Sequence, residues 1–187
     1  VPLGTLPLLL PLAAFVALAV ASAIFVRRFL AALAETREAY LFRRRVADLA
    51  ARIDASLAGA IERIDAVRRH EIEAAAIEPT IEAAREAVRR YSAEAEALGG
   101  PPSVAVYRRA IVEALERVGR ALDFVEHGCS ILSAGSRGGL ALEGETSIKR
   151  GYLNLVHARE AIGRHAAEAL RWRAEIERRM PFRPLEE

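Results

Sequence analysis

From Val1 to Val26 the chain carries no charged side chain, and Arg27 and Arg28 end the run. A helix of about 20 apolar residues crosses the roughly 30 Å hydrocarbon core of a bilayer, and Leu8–Val26 supplies that length. The pattern predicts a single transmembrane anchor over residues 1–28. Pro2, Pro7 and Pro11 precede its best helical stretch, so its first turns are expected to be irregular. No Lys or Arg precedes the run, as the n-region of a cleaved signal peptide requires. The basic residues follow it instead, at Arg27, Arg28, Arg37 and Arg43–Arg45. An excess of Lys and Arg marks the side of a span that stays in the cytoplasm. The expected placement is a single pass through the inner membrane, with the N-terminus outside and the bulk of the chain inside.

Beyond the anchor, residues 29–45 contain no Gly or Pro, and Phe29, Leu30, Leu33, Tyr40, Leu41 and Phe42 are interspersed with charge. This predicts an amphipathic helical stalk whose Phe29, Tyr40 and Phe42 contact headgroups or a partner subunit. Within the anchor, Ala13, Ala17 and Ala21 recur every four residues, a spacing of small side chains that lets a second membrane helix approach closely.

From Val46 the apolar positions step by threes and fours through Leu49, Ile53, Leu57, Ile61, Ile64 and Val67, which is one face of a helix. A heptad-like seam follows at Ile77, Ile81, Ala84, Val88, Tyr91, Ala95 and Leu98. Pro79 lies between the two seams, and with no Gly, Asn or Ser nearby to make a hairpin, a kink is expected there rather than a reversal. Gly99–Ser103 (GGPPS) is the strongest turn signal, with Ser103 placed to cap the next helix. The third seam runs through Val104, Tyr107, Ile111, Ala114 or Leu115, Val118, Leu122 and Val125, and ends at Gly128. The fourth, with Thr146 or Ser147 as N-cap, runs through Ile148, Tyr152, Leu155, Arg159, Ile162, Ala166, Ala169, Arg173, Ile176 and Met180. Amphipathic segments of this length bury their stripes against one another. The predicted fold is all-α, a transmembrane helix and stalk followed by a soluble antiparallel bundle of long helices over residues 46–180.

Two stretches lack periodicity. The five glycines of Gly128–Gly144 predict a long loop over 128–147, with Leu140 and Leu142 as docking side chains. Residues 181–187, with Pro181 and Pro184, predict an extended tail. Its Phe182 and Leu185, together with the off-seam Trp172 between two arginines, have the composition of a protein-contact surface.

Composition narrows the chemistry. Alanine, leucine, arginine and glutamate are strong helix formers and dominate the chain. Lys149 is the only lysine, a usage expected of a GC-rich genome, and the expected source is bacterial. Net charge is +2 with both signs interspersed, not the clustered basic face of a nucleic-acid binder. The local arginine excess at 27–52 fits a flank that touches anionic headgroups. Cys129 is alone, so no intramolecular disulfide forms, as suits a reducing compartment.

His157 with Glu160, and His165 with Glu168, repeat at i, i+3. Bundle metal sites place Glu-x-x-His motifs on two facing helices, whereas here the order is reversed and both pairs share one helix. The glycine stretch lacks the lysine of a phosphate-binding loop, and Cys129 beside His127 lacks an orienting third group. Arg159 and Arg173, on seam positions, are expected to meet acids on other helices or to mark an edge facing another protein.

These observations predict no enzyme, no cofactor, no metal and no small-molecule substrate. The expected function is that of an accessory or scaffolding subunit of a photosynthetic, respiratory or secretion complex, with membrane lipids and other integral-membrane subunits as partners. A single-pass coiled-coil signalling protein, acting as a homodimer, is the alternative.

Overall fold

In the computed structural model the described residues are 6–100, 102–135 and 138–179. For residues 6–14, 32, 35, 36, 103 and 172–179 only the backbone is described. Four α-helices account for most of them: α1 (Leu6–Arg68), α2 (Glu78–Ala97), α3 (Ala105–Ser133) and α4 (Gly139–Arg179). Short 3-10 turns at Ala74–Ile77 and Pro102–Val104 lead into α2 and α3. No strand occurs among the described residues. Contacts divide the chain into unit 1 (Val1–Tyr40) and unit 2 (Leu41–Glu187).

Unit 2 is an antiparallel bundle, and its cross-helix pairs give the topology. Tyr91 Oη lies 2.7 Å from Ser56 Oγ, and Arg52 bonds Glu94, so α2 runs back along α1. Arg85 reaches from α2 to Asp123 and Glu126 near the far end of α3. Gly128 and Gly151 of α3 and α4 abut Gly144 and Val125 of the opposite helix. Asp54 meets Arg159, and Arg68 lies over the Tyr152 ring, which returns α4 to α1. The order is up, down, up, down, as in bundles with short connections.

The core is made by the four predicted seams. Val46, Leu49, Ile53, Leu57, Ile64 and Val67 of α1 are buried, with Ile81, Ala84, Val88 and Ala95 of α2. Ile111, Leu115, Val118, Leu122 and Val125 of α3 join Ile148, Leu155, Ile162, Ala166 and Ala169 of α4 in the same cluster. Tyr91, Tyr107 and Tyr152 are half-buried at its margin, where a ring packs and its hydroxyl finds a polar partner, as the Tyr91 hydroxyl does at Ser56 and the Arg52 carbonyl. Of the fourth seam, Arg173 and Ile176 have side chains outside the described residues, and Met180 lies wholly outside them.

Three local expectations are corrected. The chain reverses between α1 and α2 instead of kinking. His70 takes a left-handed φ of 59°, its N–H donates to Val67 O, and the N–H of Glu71 donates to Ala66 O. That bond pair is a Schellman closure with His70 in the place glycine usually takes. Pro79 then sits in the first turn of α2, where its missing N–H costs nothing.

The long loop at 128–147 is replaced by helix. α3 continues to Ser133 and α4 begins at Gly139, and between them Gly135 and Gly138 take positive φ. Gly128 and Gly144 are buried crossing points instead: a Cβ on Gly128 would lie 2.5 Å from Gly144 O and 2.7 Å from the Ile148 side chain.

The predicted caps also differ. Val104, without a side-chain bond, precedes α3. Thr146 and Ser147 are inside α4, their hydroxyls donating to Leu142 O and to Phe124 O of α3, both at 2.7 Å.

As for the anchor, no helix is long and apolar enough to cross a membrane among the described residues. Residues 1–5 of the uncharged run lie outside them, and so do the side chains of 6–14. The expected tail, 181–187, also lies outside.

Candidate functional site

Within unit 1, the stretch from Phe15 to Val26 is an apolar helix with its side chains exposed. Phe15, Val16, Leu18, Val20, Ile24, Phe25 and Val26 are all exposed, and at 3.6 residues per turn they point to every side. A helix hydrophobic all round belongs in a core or a membrane. After Arg27 and Arg28 the pattern changes. Phe29, Leu30 and Leu33, also exposed, line up with Val26 on a single side. The Phe25 and Phe29 rings stack at a centroid distance of 6.4 Å and an interplanar angle of 11°.

Of the contact residues predicted here, Ala17 and Ala21 are exposed on this helix, as are Phe29 and Tyr40. The side chain of Ala13 lies outside the described residues. Phe42 is a correction. It belongs to unit 2 and is 1% exposed in the core, its ring against the backbone at Gly100, where an added Cβ would come within 3.0 Å. An aromatic that fills the core cannot also serve as a docking ring. Its neighbour Arg43 is buried too, at 5%, so the arginine excess at 27–52 is not wholly a headgroup flank. Arg52 of the same stretch is engaged with Asp48 and Glu94.

In unit 2, Leu140 and Leu142 are exposed on the first turns of α4. Leu142 lines an open groove of about 490 Å³ with Phe124, His127 and Arg150, whose guanidinium lies 4.6 Å from the Phe124 ring centre. A second groove, of about 330 Å³, runs between α1 and α4. Ala47, Ala51, Gly163, Ala167 and Leu170 line it, beside Asp54 and Arg159. Sequence reading missed this groove. Its signal was present as small residues just off two seams, but only the packing of α4 on α1 brings them together. The side chain of Trp172, and Phe182 and Leu185 entirely, lie outside the described residues.

Arg159 resolves one open expectation. Its Nε and Nη2 donate to the two carboxylate oxygens of Asp54 at 2.5 and 2.9 Å. The bond from Arg159 holds the Asp54 carboxyl below its usual range. The Arg85 pair with Glu126 works the same way, lowering the acid and raising the base. Each of these pairs joins two helices of opposite direction.

The groups considered for chemistry are scattered. Burial pushes the Cys129 thiol up to about 11, with Glu126 adding to the effect, so the nucleophilic thiolate is disfavoured. His165 Nδ1 lies 3.2 Å from Glu168 on its own helix, and His70 Nε2 lies 3.9 Å from Glu145. Among the described residues no group of three or more His, Cys, Asp or Glu side chains is placed to hold a metal ion. Comparison with protein-family models, with curated proteins and with solved structures finds no match for the chain.

Proposed function

We propose that the chain is a membrane-anchored, non-catalytic accessory subunit that scaffolds a multi-subunit membrane complex. The observation that carries this reading is the exposure of apolar side chains on every side of the helix from Phe15 to Val26. A single partner protein covers one face of a helix, whereas lipid surrounds all of it. Phe15–Val26 alone is only about 18 Å long at 1.5 Å per residue. The uncharged sequence extending back to Val1 supports the remaining length of a span. Arg27 and Arg28 at its end favour a cytoplasmic placement of unit 2. The binding surfaces would be the exposed apolar side chains of unit 1 and the grooves of unit 2.

The test is fractionation of the full chain and of a chain lacking residues 1–28, followed by mild detergent extraction and mass spectrometry of co-purifying chains. The expected result is a carbonate-resistant membrane protein that loses the membrane on truncation and elutes with a stoichiometric set of integral-membrane partners. Recovery of the full chain from the supernatant would overturn the anchor. Recovery from membranes as a lone homodimer would overturn the subunit reading in favour of signalling.

A further inference from the structure

The change of pattern at Arg27 points to a partner more specific than a bilayer. Up to Val26 the exposed apolar side chains surround the helix. From there Val26, Phe29, Leu30 and Leu33 continue on one side, with the exposed Arg27 and Arg28 directed away from that side. No Asp or Glu occurs before Glu35, so nothing acidic within this stretch offsets the two guanidiniums. Arginine matches phosphate oxygens with a planar fork of donors. Apolar contact that persists on one side beyond the first charges is the pattern of a helix in the interfacial layer, where acyl chains meet headgroups.

We propose that residues 25–33 bind anionic phospholipid headgroups. Arg27 and Arg28 engage the phosphates, while the stacked Phe25–Phe29 pair, Leu30 and Leu33 lie at the acyl boundary. The proposal rests on the membrane reading above and adds a lipid class to it. Charge complementarity selects the occupant. A zwitterionic lipid surface would satisfy the apolar side chains but offers the two arginines no net negative charge, whereas a basic residue near an anionic surface gains roughly five-fold in partition.

The experiment transfers the full-length chain from detergent into vesicles of phosphatidylcholine alone and of phosphatidylcholine with phosphatidylglycerol, followed by flotation. The wild type is expected to favour the anionic vesicles by roughly ten- to thirty-fold at low salt, and to lose most of that preference in 1 M salt, where the Debye length is about 3 Å. R27Q/R28Q should bind both vesicles equally, while R27K/R28K, which keeps the charge, should retain the preference. Equal partition of the wild type between the two vesicles, or an undiminished preference in R27Q/R28Q, would overturn the proposal. Failure to float with either vesicle would instead overturn the membrane reading on which it rests.

Discussion

The pair of Asp54 and Arg159 shows what a single interaction contributes to this bundle. Both side chains are partly exposed, at 57% and 35%, so solvent screens the pair, and its contribution is about 0.2–1 kcal/mol. Because the Asp54 carboxyl is held below its ordinary value of 3.8 in the fold, the stabilisation is fully present above that pH. It is lost as pH falls through the lowered, folded value. D54N should therefore unfold more easily than wild type at pH 7, and the gap should close below about pH 4 as the wild-type carboxyl protonates. Thermal unfolding of the two proteins across that range measures it. His70 is a second residue-scale test. Left-handed φ costs a non-glycine residue roughly 1 kcal/mol, so H70G is expected to stabilise the α1–α2 reversal by about that amount, read from denaturant midpoints. Arg159 was legible from sequence as a polar side chain on an apolar seam. Its partner was not, because Asp54 looks like any exposed acid until α4 lies against α1.

Along the elements, glycine divides into two kinds that composition cannot separate. Gly119 stands within α3 with nothing within 4 Å of where a Cβ would go. Gly128, Gly144 and Gly151 stand where α3 and α4 touch, and a Cβ on Gly151 would meet the Val125 side chain at 2.5 Å and Ala121 O at 2.7 Å. Alanine in a helix is better than glycine by about 1 kcal/mol, so G119A should raise stability by roughly that. G128A gains the same propensity but drives a methyl into backbone, and overpacking costs about 1–3 kcal/mol. A net loss is expected, read from the same unfolding midpoints. The seams of all four bundle helices were legible because a 3.6-residue period survives in sequence. The glycine run was misread as a loop for a physical reason: the flexibility that makes glycine common in turns and the absence of a side chain that lets helices cross closely leave the same mark in the chain.

For the molecule as a whole, the buried apolar cluster begins at Phe42, while the exposed apolar residues of unit 1 end at Tyr40. The truncation that removes residues 1–28 should thus take away the affinity for membranes without removing any member of the cluster. Its circular dichroism and cooperative unfolding are expected to match those of the bundle in the full chain, and a collapsed or unfolded product would show that the two units depend on each other.

By itself the sequence determined the helical class, the four bundle seams, the run of uncharged residues and the arginines that end it, because these are one-dimensional patterns of hydropathy and charge. Tertiary structure decided the reversal at His70, the burial of Phe42 and Arg43, the partner of Arg159, the groove between α1 and α4 and the role of the crossing glycines. Each of these depends on which face of one helix meets another, and that is set by packing in space, not by spacing along the chain.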